Sequence, residues 1–128
     1  MNFPKTLSAR EAVRQVNEDH LEGWEQAEFQ DPERIMGCDE FTLRSIDVPA
    51  GLEYSAGVGH HPPVVAEYRS SKGPPPPPFF DMNGQVIDGK HRLEANAGRT
   101  IAVYVPTDYR GPLYIGWPMI SVLFAITE

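Results

Sequence analysis

The stretch "GQVIDGKHRLEANAGRTIAVYV", residues 84–105, decides how this chain is read. Val86 and Ile87 end a short apolar run, and Asp88-Gly89 reads as an N-cap followed by a turn. A short helix follows, with Gly98 placed to close it as a C′ glycine. Residues 100–106, "TIAVYVP", then alternate as a strand that Pro106 stops. Just upstream, Asn83-Gly84 joins two short apolar runs in "FFDMNGQVI", residues 79–87. That pairing predicts a type I′ hairpin turn. Residues 79–105 therefore form one hairpin, turn, helix and strand unit, and the fold class expected is α+β.

The same stretch carries an electrostatic puzzle. Lys90, His91 and Arg92 fall in the first turn of the helix. A helix N-terminus already carries roughly +0.5 of partial charge and favours acids. Two readings answer it. Backbone N–H groups at a helix start attract anions, so the cations fit a phosphate held there. Gly89 would let the backbone come close, and Arg92 could clamp phosphate oxygens with both arms of its fork. His91 could donate a hydrogen bond or carry a proton, and Lys90 adds a mobile charge. Alternatively, Asp88 and Glu94 balance three solvated basic residues on an exposed face. Spacing alone favours neither.

Further out, residues 7–27 read as an amphipathic N-terminal helix. Ser8 and Glu11 have capping-box spacing. Val13, Val16, Leu21 and Trp24 fall on one side, with His20 beside them. "DPERIMG", residues 31–37, adds a short helical turn, and "FTLRSIDV", residues 41–48, a strand. Residues 49–63 are a Gly- and Pro-broken loop. "VVAEY", residues 64–68, fits a strand or a helical turn. The chain has 13 prolines, about twice the ordinary ~5%. Five are consecutive, Pro74 to Pro78. They predict a stiff polyproline II connection, with a proline-reading protein as the other use. Residues 113–126 hold one or two more apolar segments.

Composition bounds the function. The 128 residues carry 18 acids against 11 Lys and Arg, a net charge of −7. A protein that grips duplex DNA usually shows a basic surplus, so any basic site here is local. The single cysteine, Cys38, allows no disulfide within the chain, which fits a reducing compartment. The N-terminus has no apolar signal core, and residues 117–126 are too short an apolar run to span a bilayer. The expectation is a cytoplasmic protein without a membrane partner.

Residues 84–105 resemble the core motif of the ParB/sulfiredoxin superfamily. The matching residues are Gly84, Val86, Asp88, Gly89, His91, Arg92, Ala95, Gly98, Ile101 and Val103. A proline-bearing segment before the hairpin, here Pro74–Pro78, is similar too. The close match covers about 25 residues. The resemblance implies one ParB/sulfiredoxin-like domain over residues 1–128, with a small mixed sheet and flanking helices. It also implies that Asp88, Gly89, Lys90, His91 and Arg92 hold a nucleotide or nucleic-acid phosphate. Relatives include CTP-hydrolysing partition proteins, sulfiredoxins, free-serine kinases and ParB-like nucleases, many of them encoded by phages and plasmids. Nuclease, NTPase or phosphotransfer activity is then expected if the chain is an enzyme. Lys90 and Arg92 would stabilise charge, and His91 or Glu94 would handle protons. A nucleoside triphosphate with Mg²⁺ is the implied cofactor.

Departures narrow this. Sulfiredoxins have a cysteine where this chain has Lys90, which argues against that reaction. The arginine-rich box of the partition proteins is missing, and residues 106–128 leave little room for their DNA-binding and dimerisation parts. Asp81, Asp88 and Glu94 are candidate Mg²⁺ carboxylates. His60-His61 lacks zinc-type spacing and reads as loop. Tyr104, Tyr109, Tyr114 and Trp117 are candidates for base stacking, with packing as the default. A second hypothesis is a non-catalytic phage- or plasmid-type interaction protein. It would keep the fold and bind a host protein through its acidic surface or its proline-rich loop.

Overall fold

The alternation of "EFTLRSID" makes one strand that serves two cores. In the computed structural model, which describes residues 3–19, 36–48, 76–115, 120–122 and 126–127, β2 (Glu40–Asp47) lies inside a six-stranded mixed sheet. Phe41 and Leu43 pack into one hydrophobic cluster, and Ile46 with the following Val48 packs into another. Side chains two apart share a face of a strand, so the clusters lie on opposite faces of the sheet.

Strand β5 (Thr100–Pro106) runs antiparallel to β2 along its whole length, from Phe41 opposite Pro106 to Asp47 opposite Thr100. The other edge of β2 is shared. β1 (Thr6–Ser8) pairs with its first part and β8 (Ile126–Thr127) with its second. Beyond β5 come β3 (Phe79–Phe80), parallel to it, and β4 (Val86–Asp88), antiparallel to β3. β6 (Leu113–Ile115) and β7 (Ile120–Val122) form a separate antiparallel pair. The α+β expectation holds, with the spacing of 100–106 read correctly and β2 starting one residue earlier than expected.

Helix α1 (Ala9–Asp19) covers one face with Ala9, Ala12, Val13 and Val16. Beneath it Phe79 stacks on Tyr104, ring centroids 5.0 Å apart, and meets Phe41 edge-on at 5.4 Å. The capping box is formed: the Ser8 N–H donates to Glu11 Oε1 at 3.0 Å, and the Glu11 N–H donates to Ser8 Oγ at 3.2 Å. These bonds hold the Glu11 carboxyl below its ordinary pKa. The helix begins at Ala9 rather than residue 7, because Leu7 is taken into β1. Residues 20–27 of the expected helix lie outside the described residues.

Helix α2 (Lys90–Ala95) covers the other face with Leu93, packed with Phe80, Ile101, Val103 and Val105. It ends earlier than expected. Asn96 is its C-cap, and Gly98 instead donates its N–H to the Val48 carbonyl at 2.8 Å.

The hairpin between β3 and β4 is present, but its turn differs from the type I′ expected. No described non-glycine residue has positive φ, so Asn83 is not left-handed, whereas Gly84 is, at φ 79°. A type I′ turn needs both. Instead Asp81–Gly84 closes with the Gly84 N–H on the Asp81 carbonyl, and Gln85 and Asp81 then pair through the Gln85 carbonyl. This is a type I turn followed by a glycine bulge. Asp81 Oδ1 selects it by accepting from the N–H groups of Asn83 and Gln85, at 2.8 and 2.9 Å.

Candidate phosphate turn and its proline strap

Strand β4 delivers Asp88 to the sheet end, and the chain turns through Gly89 at φ 103°, ψ 20°. L-residues with side chains rarely adopt that conformation. Gly89, not Asp88, is the N-cap of α2, and it makes no side-chain cap bond. This corrects the N-cap role expected of Asp88. Its carboxylate, on a residue 4% exposed, accepts from Arg92 Nη2 at 2.6 Å. The two are four residues apart, one helical turn, which brings them to the same side.

Arg92 is turned inward. It is 2% exposed, and its Nη1 donates to the Pro76 carbonyl at 2.9 Å. Asn96 Nδ2 donates to the Arg92 carbonyl at 2.7 Å, fastening the next turn of the same helix. A guanidinium can grip phosphate with its fork only where the fork is reachable. Here both arms bind groups of the protein itself.

The close approach expected at Gly89 is also explained internally. A Cβ there would lie 2.7 Å from Pro78 Cβ. The Pro78 carbonyl accepts the Tyr104 N–H at 2.8 Å, which seats the proline segment beside β5. Pro77 and Pro78 are buried and Pro76 is exposed. Residues 74 and 75 lie outside the described residues.

Lys90 and His91 occupy the first two positions of α2, and the structure describes only their backbone. Glu94 is buried, at 9% exposure, on the same helix. The turn thus brings Asp88, Gly89 and Arg92 together around the proline segment. Lys90 and His91 are the basic residues left at the start of the helix.

Other candidates are placed elsewhere. Among the described residues, no group of three or more His, Cys, Asp or Glu could hold a metal ion. Asp81, Asp88 and Glu94 are therefore not gathered into the expected Mg²⁺ set. Asp81 shapes the hairpin and Asp88 binds Arg92. The Tyr104 hydroxyl donates to the Pro4 carbonyl at 2.6 Å, and its ring is buried against Phe79. The Tyr109 hydroxyl donates to the Pro112 carbonyl, next to Gly84. The buried Tyr104 ring is not presented for a base, and Tyr109 is half-buried. His20, His60, His61 and Trp117 lie outside the described residues. Cys38 is half-buried, and its Sγ donates to the Glu40 carbonyl at 3.4 Å. Burial, aided by nearby Asp39, pushes the thiol up to about 11 despite that bond.

Sequence reasoning missed the internal use of Arg92. The signal was the i,i+4 spacing of Asp88 and Arg92, with a proline run upstream that supplies backbone carbonyls without N–H groups of their own. No family model matches the chain, and neither a curated protein nor a solved structure matches it. Among the described residues, no helix is long and apolar enough to cross a membrane.

Proposed function

We propose that this chain is a ParB/sulfiredoxin-like domain whose Gly89–His91 turn binds a nucleotide or nucleic-acid phosphate. One observation carries the reading. A strand passes through a left-handed glycine straight into a helix whose N-cap has no side chain, with Lys90 and His91 at its first two positions. Main-chain N–H groups and cations at such a start suit an anion. The buried Asp88–Arg92 pair supports the reading in a revised form. Arg92 and Asp88 are positioning residues behind the turn, and Gly89, Lys90 and His91 are the contacting ones.

Under this reading Mg²⁺ would arrive with the nucleotide, held mainly by phosphate oxygens. Lys90 would stabilise charge on the phosphate, and His91 would be the group best suited to move a proton. Glu94, being buried, is a weaker choice for that task than the sequence suggested. Nuclease, NTPase and phosphotransfer chemistry remain the enzymatic forms of the proposal.

Thermal unfolding with ATP, ADP, CTP and GTP, with and without Mg²⁺, tests it. Ligand at a hundred times its Kd should raise Tm by roughly 5–10 °C. The double variant Lys90→Ala, His91→Ala should lose that rise while keeping the unliganded Tm. Absence of a shift with every nucleotide would remove the nucleotide form of the proposal. The rival reading, a non-catalytic protein that binds a host partner, rests on the net charge of −7. For that reading the seating of Pro76–Pro78 leaves the acidic surface as the better docking face.

A further inference from the structure

We propose that Asn83 is a chemical modification site that the fold holds shut, and that opening of the hairpin converts it to aspartate or isoaspartate. The reaction needs only water. The Gly84 nitrogen bonds to the side-chain carbonyl carbon of Asn83, and that carbon's bond to its own nitrogen breaks. Ammonia leaves and takes the Gly84 amide proton with it. Water then opens the cyclic imide. Cleavage at the side-chain carbon gives aspartate. Cleavage at the main-chain carbon gives isoaspartate, whose backbone runs through the side chain and is one methylene longer. Glycine obstructs the attack least of all residues, because it has no Cβ.

Asn83 stands exposed at the hairpin tip, but the group that must attack it is fastened at three points. The Gly84 N–H donates to the Asp81 carbonyl at 3.0 Å, and the Gly84 carbonyl accepts the Tyr114 N–H at 2.6 Å. Between them, the Gly84 Cα lies so close to the Pro112 carbonyl and the Tyr109 hydroxyl that no side chain fits. Asn83 is third in a type I turn, where ψ lies near 0°, whereas ring closure needs ψ roughly 120° away from that value. The Asp81 carboxylate adds an electrostatic bar. Its Oδ1 accepts from the N–H groups of Asn83 and Gln85, at 2.8 and 2.9 Å, on either side of the Gly84 amide that must lose its proton. A nearby negative charge disfavours that ionised form. Ring closure therefore waits for local opening of the turn. The longer isoaspartate backbone no longer fits the Asp81–Gly84 closure, so it also breaks the tie between Gly84 and Tyr114 of β6.

The test incubates the folded chain, the chain in urea, the chain with Asp81→Ala and the free peptide of residues 79–88 at neutral pH. Mass spectrometry after chromatography counts aspartate and isoaspartate at residue 83. The peptide and the urea-unfolded chain should convert at similar rates, and the folded chain about tenfold or more slowly. Asp81→Ala should convert about fivefold or more faster than the folded chain, having lost two bonds that close the turn. Should Asp81→Ala not fold, Tyr109→Phe replaces it. That variant removes only the hydroxyl beside Gly84, and should convert about twofold or more faster than the folded chain. In the isoaspartate form the Tyr114 amide should lose its protection from hydrogen exchange. Equal rates in the folded chain and the peptide overturn the shut site. A folded variant no faster than the parent overturns the part given to Asp81 or Tyr109. A peptide that does not convert overturns the modification site, and a protected Tyr114 amide in the isoaspartate form overturns its effect on β6.

Discussion

At the residue scale, Arg92 shows how one side chain can be read from chemistry and still be misplaced. A guanidinium beside a glycine turn suits phosphate, yet here it is buried and divided between a carboxylate and a carbonyl. Removing one partner of a buried pair leaves the other charged and desolvated. Arg92→Ala is therefore expected to cost about 3–5 kcal/mol in urea unfolding. Replacing both partners with apolar residues, Arg92→Met with Asp88→Leu, should recover part of that loss, since no lone charge remains buried. Cys38 gives a prediction of the opposite kind. With its thiol pushed up to about 11, the thiolate is scarce at pH 8. Alkylation by iodoacetamide, followed by mass spectrometry, should run on the order of 100-fold slower in the native protein than in urea.

At the element scale, the start of α1 depends on a reciprocal pair of bonds between Ser8 and Glu11. Ser8→Ala should cost about 1 kcal/mol in thermal or urea unfolding. The Glu11 carboxyl is held low by the Ser8 N–H and then by the Ser8 hydroxyl. Its contribution is thus present above the unfolded value of 4.5 and fades as pH falls through the folded one. In Glu11→Gln this acid-side loss should be smaller. The elements with strong local signals were legible: the capping box, the hairpin at residues 79–87, and the β5 strand with its terminal proline. What was not legible depended on distant partners. Leu7 continues the helical pattern, but pairing with Phe41 draws it into β1. Asn83-Gly84 looks like a two-residue turn, but Asp81 Oδ1 selects the bulged alternative. The proline run looked like an external connection because nothing local shows that Arg92 and Tyr104 bind its carbonyls.

At the scale of the whole molecule, one sheet separates two cores and ends at a turn fastened from behind by a proline strap. Residues 3–48 supply α1, β1 and β2, and residues 76–106 supply the hairpin, the turn and β5. The sheet joins them through the long β2–β5 ladder, so the site rests on a rigid frame rather than a free loop. In a chain of net charge −7, a basic turn is a local exception, and a bound anion would give it a purpose. The most direct test is a ¹⁵N–¹H NMR titration with CTP and ATP in the presence of Mg²⁺. The account predicts saturable shifts centred on the amides of Gly89, Lys90 and His91, abolished by Lys90→Ala with His91→Ala. Unshifted amides in that turn, or saturable shifts centred elsewhere, would contradict it.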